Sequence, residues 1–152
     1  MARIDLNRST LDGFVERVES LDPESQRLWG EMDVVRMLHH LVFTVDMSLG
    51  NVEVETFTPK LVRPLIYLLA FNWFTNWPKG KLKAPDWVCP DPEGDFNAER
   101  DLLLTRLTEF VNTLDTDPQR TGVNPGLGSI PMTRWSRVYG IHTDHHLRQF
   151  GV

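Results

Sequence analysis

The sequence predicts an all-α fold, arranged as a four-helix bundle with one additional helix and long irregular connections. Apolar residues recur every three or four positions along most of the chain, which is the period of an amphipathic helix. Residue types that favour helix ends flank these stretches. The 152 residues match the length of one compact domain. We therefore predict a single helical domain over residues 1–152.

Two helices are predicted in the N-terminal third of the chain. The Ser-Thr pair at residues 9–10 can cap the first helix, which should end near residue 21, before an Asp-Pro pair. Asp33 can cap the second helix over residues 34–49. Gly50 follows it and suits the left-handed conformation that ends many helices.

The middle of the chain is predicted to contain a third helix and a long loop. Thr58 followed by Pro59 is a cap with proline at the first helical position, which opens a helix to about residue 74. Pro64 should kink this helix or mark its true start. Residues 78–93 contain too many prolines and glycines for a helix, and we expect an ordered loop over the bundle.

Two further helices are predicted in the C-terminal half. One spans residues 96–113, with Leu103 and Leu107 facing inward and Glu99 facing outward. An irregular segment is expected over residues 115–130. The last helix should span residues 131–149 and end at a glycine.

Composition argues against two classes of partner. The chain has 21 acidic and 16 basic residues, a formal net charge of −5, which disfavours binding to nucleic acid. Its most apolar stretch, residues 61–74, is too short to cross a bilayer, so we expect no membrane partner. The N-terminus lacks a signal-peptide core and Cys89 is the only cysteine, which together predict a cytoplasmic protein.

The five histidines form two tight clusters, which are the strongest indication of function. His39 and His40 are adjacent, and His142, His145 and His146 lie within five residues. On a helix, His142 and His146 would share one face one turn apart, a spacing at which two imidazoles can bind one metal ion. The alternative is a partly buried stripe whose histidines bind backbone groups or water. We favour the metal site because all five histidines fall in these two segments.

The predicted metal site has free coordination positions. Cys89 has no second cysteine with which to form a disulfide or a thiolate cage, so nitrogen and oxygen atoms must hold the metal. Three histidines leave coordination positions for water or substrate, as in catalytic sites, whereas structural zinc sites usually have four protein ligands. We expect Cys89 to be a small packed residue and not a nucleophile.

Several stretches resemble the DinB-like superfamily of four-helix metal-binding proteins. They are residues 29–32, Trp-Gly-Glu-Met, residues 37–40, Met-Leu-His-His, and the C-terminal run from His142 to Gly151, together with Trp135. The sequence is most similar to a bacterial branch known only as a domain of unknown function. The branch commonly has histidine in a His-Pro-x-x-Gly loop where this sequence has Asn124.

The resemblance implies a ligand set and a metal. One histidine of the second helix and two of the last helix bind a divalent ion, usually assigned as zinc or nickel, so the ligands would be His40, His142 and His146. A helical wheel does not by itself select His40, which lies farther from the apolar centre of its helix than His39. His39 would then be an outer or surface group, and His145 an alternative ligand or a pocket donor.

The resemblance also implies a chemistry. Characterised members include thiol-dependent transferases and isomerases, which suggests an enzyme that acts on a small-molecule substrate, either an S-transferase using a low-molecular-weight thiol or a hydrolase. A metal ion with open positions can polarise a substrate oxygen or activate a thiol or water. The alternative is a non-catalytic metal-binding or stress-related interaction protein, for which a homodimer is compatible with the apolar third helix.

Other candidate residues surround these two clusters. Arg36 or Arg148 could bind the anionic part of a thiol cofactor, although arginines at such positions are commonly solvated. Asp144 should point away from the metal face, towards solvent or a neighbour. Carboxylates that could orient a ligand are Glu31, Asp33 and Asp46. Aromatic residues that could line a pocket, or simply form the core, are Trp29, Phe43, Trp135 and Tyr139.

Overall fold

The computed structural model describes residues 4–73, 77, 79 and 86–152. It is mostly helical, which confirms that part of the predicted fold class. The α-helices are α1 (Leu11–Glu19), α2 (Val34–Leu49), α3 (Arg63–Tyr67), α4 (Phe96–Thr116) and α5 (Met132–Gln149). A small antiparallel sheet of β1 (Thr121–Asn124) and β2 (Gly128–Pro131) departs from the all-α prediction.

Capping residues set both ends of α2 and the start of α4, as predicted for Asp33 and Gly50 on α2. Asp33 accepts a hydrogen bond from the backbone N–H of Arg36 at the start of α2. Gly50 ends α2 in the left-handed region, with φ of +75°. Asp95 caps α4 through the backbone N–H of Ala98. Each cap satisfies backbone groups that have no partner within the helix.

The third helix is broken into short pieces. A 3₁₀ turn over Lys60–Val62 leads into α3, which continues as a π-helical turn over Leu68–Trp73. Pro64 lies in the first turn of α3, where its missing N–H leaves no hydrogen bond unmade. The sequence therefore placed the start correctly, whereas the end predicted near residue 74 lies outside the described residues. Within the predicted loop, Asp86–Val88 form a 3₁₀ turn.

The prediction of an irregular segment over residues 115–130 is wrong, because these residues include the β1–β2 hairpin. Asn124 begins the turn, and its side-chain oxygen accepts the backbone N–H groups of Gly126 and Leu127. Gly122 lies so close to α2 that a Cβ there would meet the backbone of Ser48. Each strand has only four residues, which is too short for a clear alternation of apolar and polar side chains. Contact with α2 therefore supports a hairpin that the local sequence does not predict.

The core lies where α1, α2, α4 and α5 meet. Helix α2 packs against α4, α5 and strand β1, and α1 packs against both α4 and α5. The largest fully buried side chains in the described residues include Trp135, Tyr139, Phe110, Met37, Leu38, Leu41, Leu103 and Leu107. The N-terminal segment runs beside α5, where Leu6 and Ser136 exchange hydrogen bonds. In the described residues no helix has the length and apolar character needed to cross a bilayer.

Candidate metal centre

Three histidines from two helices meet between α2 and α5. His40 lies on α2, and His142 and His146 lie one turn apart on α5. The Nε2 atom of His142 is 3.0 Å from that of His40 and 3.2 Å from that of His146. One possible ligand atom from each histidine lies within 4.8 Å of the other two. The structure therefore brings together the three side chains that the resemblance implied as ligands.

The spacing of these nitrogens suits a single metal ion. Two imidazole nitrogens bound to zinc at about 2.0–2.1 Å are roughly 3.3 Å apart in a tetrahedral site and roughly 2.9 Å apart at a right angle. The two nitrogen–nitrogen distances, 3.0 and 3.2 Å, fall in this range. All three ligand atoms lie within 4.8 Å of one another, so moderate side-chain movements would let one ion contact all three.

The outer nitrogens of two imidazoles are held by oxygen acceptors. His40 Nδ1–H donates to the carbonyl of Val88 over 2.9 Å, and His146 Nδ1–H donates to the side-chain oxygen of Gln149 over 3.0 Å. The amide nitrogen of Gln149 donates to the carbonyl of Trp29, which fixes the amide orientation. A neutral imidazole that carries its proton on Nδ1 has a lone pair on Nε2.

With this hydrogen-bond pattern, the three Nε2 atoms carry too few protons to form both of the short nitrogen–nitrogen contacts as hydrogen bonds. The lone pairs of His40 and His146 both face Nε2 of His142, which can carry one N–H at most. That proton can complete one of the two short nitrogen–nitrogen contacts. The lone pair at the other contact is then left without a donor, whereas a His142 protonated on Nδ1 would present a third lone pair that a bound cation could accept together with the other two.

Burial keeps the three imidazoles neutral. It lowers the pKa of His146 to about 3, and repulsion from His40 adds to the shift. Burial also holds the pKa of His142 well below 6.5, and repulsion from His146 and His40 lowers it further by a smaller amount. Burial lowers the pKa of His40 in the same direction. Neutral histidine is the form that binds metals, so the lowered pKa values keep these nitrogens available to a metal ion.

His39 and His145 lie outside the cluster. His39 turns towards α4, and its Nδ1 is 2.9 Å from a carboxylate oxygen of Glu99. The ring of His145 lies 6.0 Å from Trp29 and 5.7 Å from Trp77, between their indoles. His40 is buried although it is far from the apolar centre of its helix, because α2 has neighbours on several sides.

The aromatic candidates divide between core and site. Trp135 and Tyr139 stack in the core, with ring centroids 5.4 Å apart, and both are almost fully buried. Phe43 packs partly buried against the same core. Trp29 packs against His145, and Trp77, which the sequence did not single out for this role, lies 5.8 Å from the ring of His142.

The charged candidates near the site have other partners. Asp144 is buried, not solvent-facing, and pairs with Arg17 and Arg148 at 3.0 and 2.8 Å. Arg36 donates to the carbonyl of Cys89 and lies 3.5 Å from Asp91. Both guanidinium groups suggested for an anionic cofactor are therefore engaged in local ion pairs.

Two of the carboxylates suggested as outer partners have roles away from the ligands, and the third is at the surface. Asp33 caps α2, Asp46 binds Arg106 at 2.6 Å, and Glu31 is exposed. Glu99, predicted to face outward, is only 2% exposed. That prediction is wrong because the segment before α4 folds back over its first turn and covers Glu99. The helical period alone carries no signal for this contact.

Cys89 is closer to the site than its sequence context suggested. Its Sγ atom lies 3.4 Å from Nδ1 of His40. This is the side of the ring opposite to Nε2, so Cys89 does not join the three converging nitrogens. In the described part of the chain, the only group of histidine, cysteine and acidic residues with metal-ligand spacing is the three-histidine cluster.

Comparison with known proteins places the chain in a family. The family model described as a protein of unknown function, DUF1569, matches residues 1–151. The chain belongs to the DUF1569 family. Comparisons of this DUF1569 protein with curated proteins and with solved structures found no match.

Proposed function

We propose that this DUF1569 protein is a divalent-metal-dependent enzyme of the DinB-like type, with His40, His142 and His146 as ligands of zinc or nickel. The observation that carries the proposal is the convergence of three Nε2 atoms, two of them with lone pairs fixed by bonds from Nδ1. The four mutually packed helices and the order of the histidines along the chain support the DinB-like assignment.

The ligand set favours catalysis over a purely structural role. Three neutral nitrogens leave the full charge of the ion uncompensated, and they leave coordination positions for a substrate or water. An ion bound in this way would supply Lewis-acid chemistry, polarising an oxygen or activating a thiol. The protein's own residues keep the three imidazoles neutral and fix the orientation of His40 and His146.

The reactions that fit are thiol transfer and hydrolysis of a small-molecule substrate. A thiol would have to come from a low-molecular-weight cofactor, because Sγ of Cys89 lies on the Nδ1 side of His40. Among the aromatic side chains, Trp29 and Trp77 lie on the flank of the cluster near His142 and His145. They provide an apolar wall that suits the organic part of such a substrate.

Metal content tests the proposal directly. Tag-free protein is purified without a nickel column, incubated with zinc or nickel, desalted and measured by plasma mass spectrometry. We expect about one equivalent in the wild type and in His145→Ala, the matched control on the same helix, and little in His146→Ala. A wild type without bound metal, or equal loading of all three proteins, would contradict the proposed site.

Cobalt substitution then separates a catalytic from a structural centre. An open site should change its visible spectrum when a small thiol is added, because sulfur can enter the coordination sphere. A spectrum that does not respond to thiols or small anions would favour the non-catalytic alternative. Activity screens for thiol transfer and hydrolysis follow from a positive response.

A specific surface favours the alternative of a homodimeric interaction protein. Six large apolar side chains between residues 57 and 69 are 38 to 94% exposed, among them Leu61, Leu65 and Leu68 at intervals of three or four residues. Exposed apolar side chains that lie close together are typical of protein interaction surfaces. Exposed Glu53 and Glu55 and the net charge of −5 disfavour an anionic membrane, so a second copy of the chain is the occupant we propose.

A further inference from the structure

Glu99 is a buried carboxylate whose two oxygens both accept hydrogen bonds. It lies in the first turn of α4 and is 2% exposed. One of its oxygens accepts the backbone N–H groups of Glu93 and Gly94, over 3.1 and 2.9 Å. The other oxygen is 2.9 Å from Nδ1 of His39 on α2. Burying a carboxylate is costly unless it is paired in this way, so its position calls for a role.

These bonds attach the segment 88–94 to both helices. Glu99 holds the end of the segment at Glu93 and Gly94, while Arg36 of α2 binds the carbonyl of Cys89 over 3.2 Å. At the start of the segment, the carbonyl of Val88 accepts the Nδ1 proton of His40. The segment therefore carries the acceptor that determines which nitrogen of His40 is protonated.

We propose that Glu99 is a positioning residue for the metal ligand His40. By holding the segment 88–94 against α2 and α4, it keeps the carbonyl of Val88 on Nδ1 and the lone pair of Nε2 directed at His142. The inference rests on the proposed metal site for its function, and on the contacts of Glu99 for its geometry. Nothing in this role requires Glu99 to touch the metal or a substrate.

A general bracing role is the competing explanation, and the chain contains a matched control for it. Asp46 of α2 binds Arg106 of α4 at 2.6 Å, so this carboxylate also ties α2 to α4. Asp46 binds Arg106 and Asn51, neither of which belongs to the segment 88–94. Its removal should lower stability without changing the orientation of His40.

Metal affinity separates the two explanations. Competition with a chelator gives the zinc dissociation constant of Glu99→Ala, Glu99→Gln and Asp46→Ala beside that of the wild type. We expect Glu99→Ala to bind about 10- to 100-fold more weakly, the range found for partners that orient metal ligands. Glu99→Gln retains an oxygen for the two backbone N–H groups and should stay within a few fold of the wild type. Asp46→Ala should keep its affinity and lose stability.

Two outcomes would overturn the inference: an unchanged affinity in Glu99→Ala, or an equal loss of affinity in Asp46→Ala. If Glu99→Ala is too unstable to load, Glu99→Asp replaces it, because it keeps the charge and retracts the carboxylate by one methylene. We expect an affinity loss of several fold for this variant. Wild-type affinity in Glu99→Asp would count against the positioning role.

The histidine tautomer provides a second readout that needs no metal. Long-range ¹H–¹⁵N spectra of the metal-free protein report whether Nδ1 or Nε2 of His40 carries the proton. We expect the Nδ1–H form in the wild type and in Asp46→Ala, and a mixture in Glu99→Ala. If the wild type binds no metal, the proposed function fails, while these spectra still decide the role of Glu99. The same tautomer in all three proteins would refute it.

Discussion

Acidification should destabilise the metal-free protein well above the pH at which carboxylates titrate. His40, His142 and His146 are held neutral in the folded state, since burial lowers the pKa of each of them. In the unfolded chain their pKa returns to about 6.5. Between these values the unfolded state binds more protons, so the free energy of unfolding falls as the pH falls.

The size of the effect follows from His146. Its pKa is about 3 in the folded protein against 6.5 in the reference state. Lowering the pH from 7.5 to 5 protonates this side chain in the unfolded chain alone, which removes about 2 kcal/mol from the free energy of unfolding. His142 and His40 add to the loss in the same direction. The loss begins near pH 6.5 and continues as the pH falls towards the folded pKa.

Urea unfolding of the metal-free protein at several pH values between 7.5 and 5 measures this effect. The window lies above the ordinary pKa of aspartate and glutamate, so histidines dominate the change. His146→Gln should lose about 2 kcal/mol less than the wild type between the two pH values. A wild-type free energy of unfolding that stays constant across the window would refute the view that these imidazoles are buried and neutral.

The remaining predictions concern stability, assembly and ligand identity. Gly122→Ala should destabilise the protein by about 1–3 kcal/mol in urea unfolding, because a Cβ would meet the backbone of α2; Gly13→Ala, on an open helical surface, should instead stabilise it by roughly 0.5–1 kcal/mol. Sedimentation should show a dimer that Leu61→Glu converts to a monomer, and a monomeric wild type would exclude the dimer. Cys89→Ser should keep its bound zinc in mass spectrometry, whereas loss of the metal would make Cys89 a ligand. Zinc at a hundred times its dissociation constant should raise the free energy of unfolding by about 2.7 kcal/mol, and no change would contradict binding to the folded state.

Local sequence was sufficient for the long helices and for two of the three histidines of the candidate site. Asp33 and Gly50 mark the ends of α2 because capping involves only groups within a few residues of the helix end. The spacing of His142 and His146 places them on one face of any α-helix, since the helical repeat is a property of the backbone. Both features could therefore be predicted before any tertiary contact was known.

Contacts between distant segments decided the rest. The selection of His40 over His39 depends on how α2 is rotated against α5. The residue pattern of α2 alone gives no information about this rotation. Burial of Glu99 depends on a segment that folds back from the loop onto α4, and the β1–β2 hairpin depends on the close approach of Gly122 to α2. The sequence by itself determined the helices, their ends and the paired histidines of α5. The tertiary structure decided which third histidine joins them, because that choice is made by packing between helices and not by the period of either one.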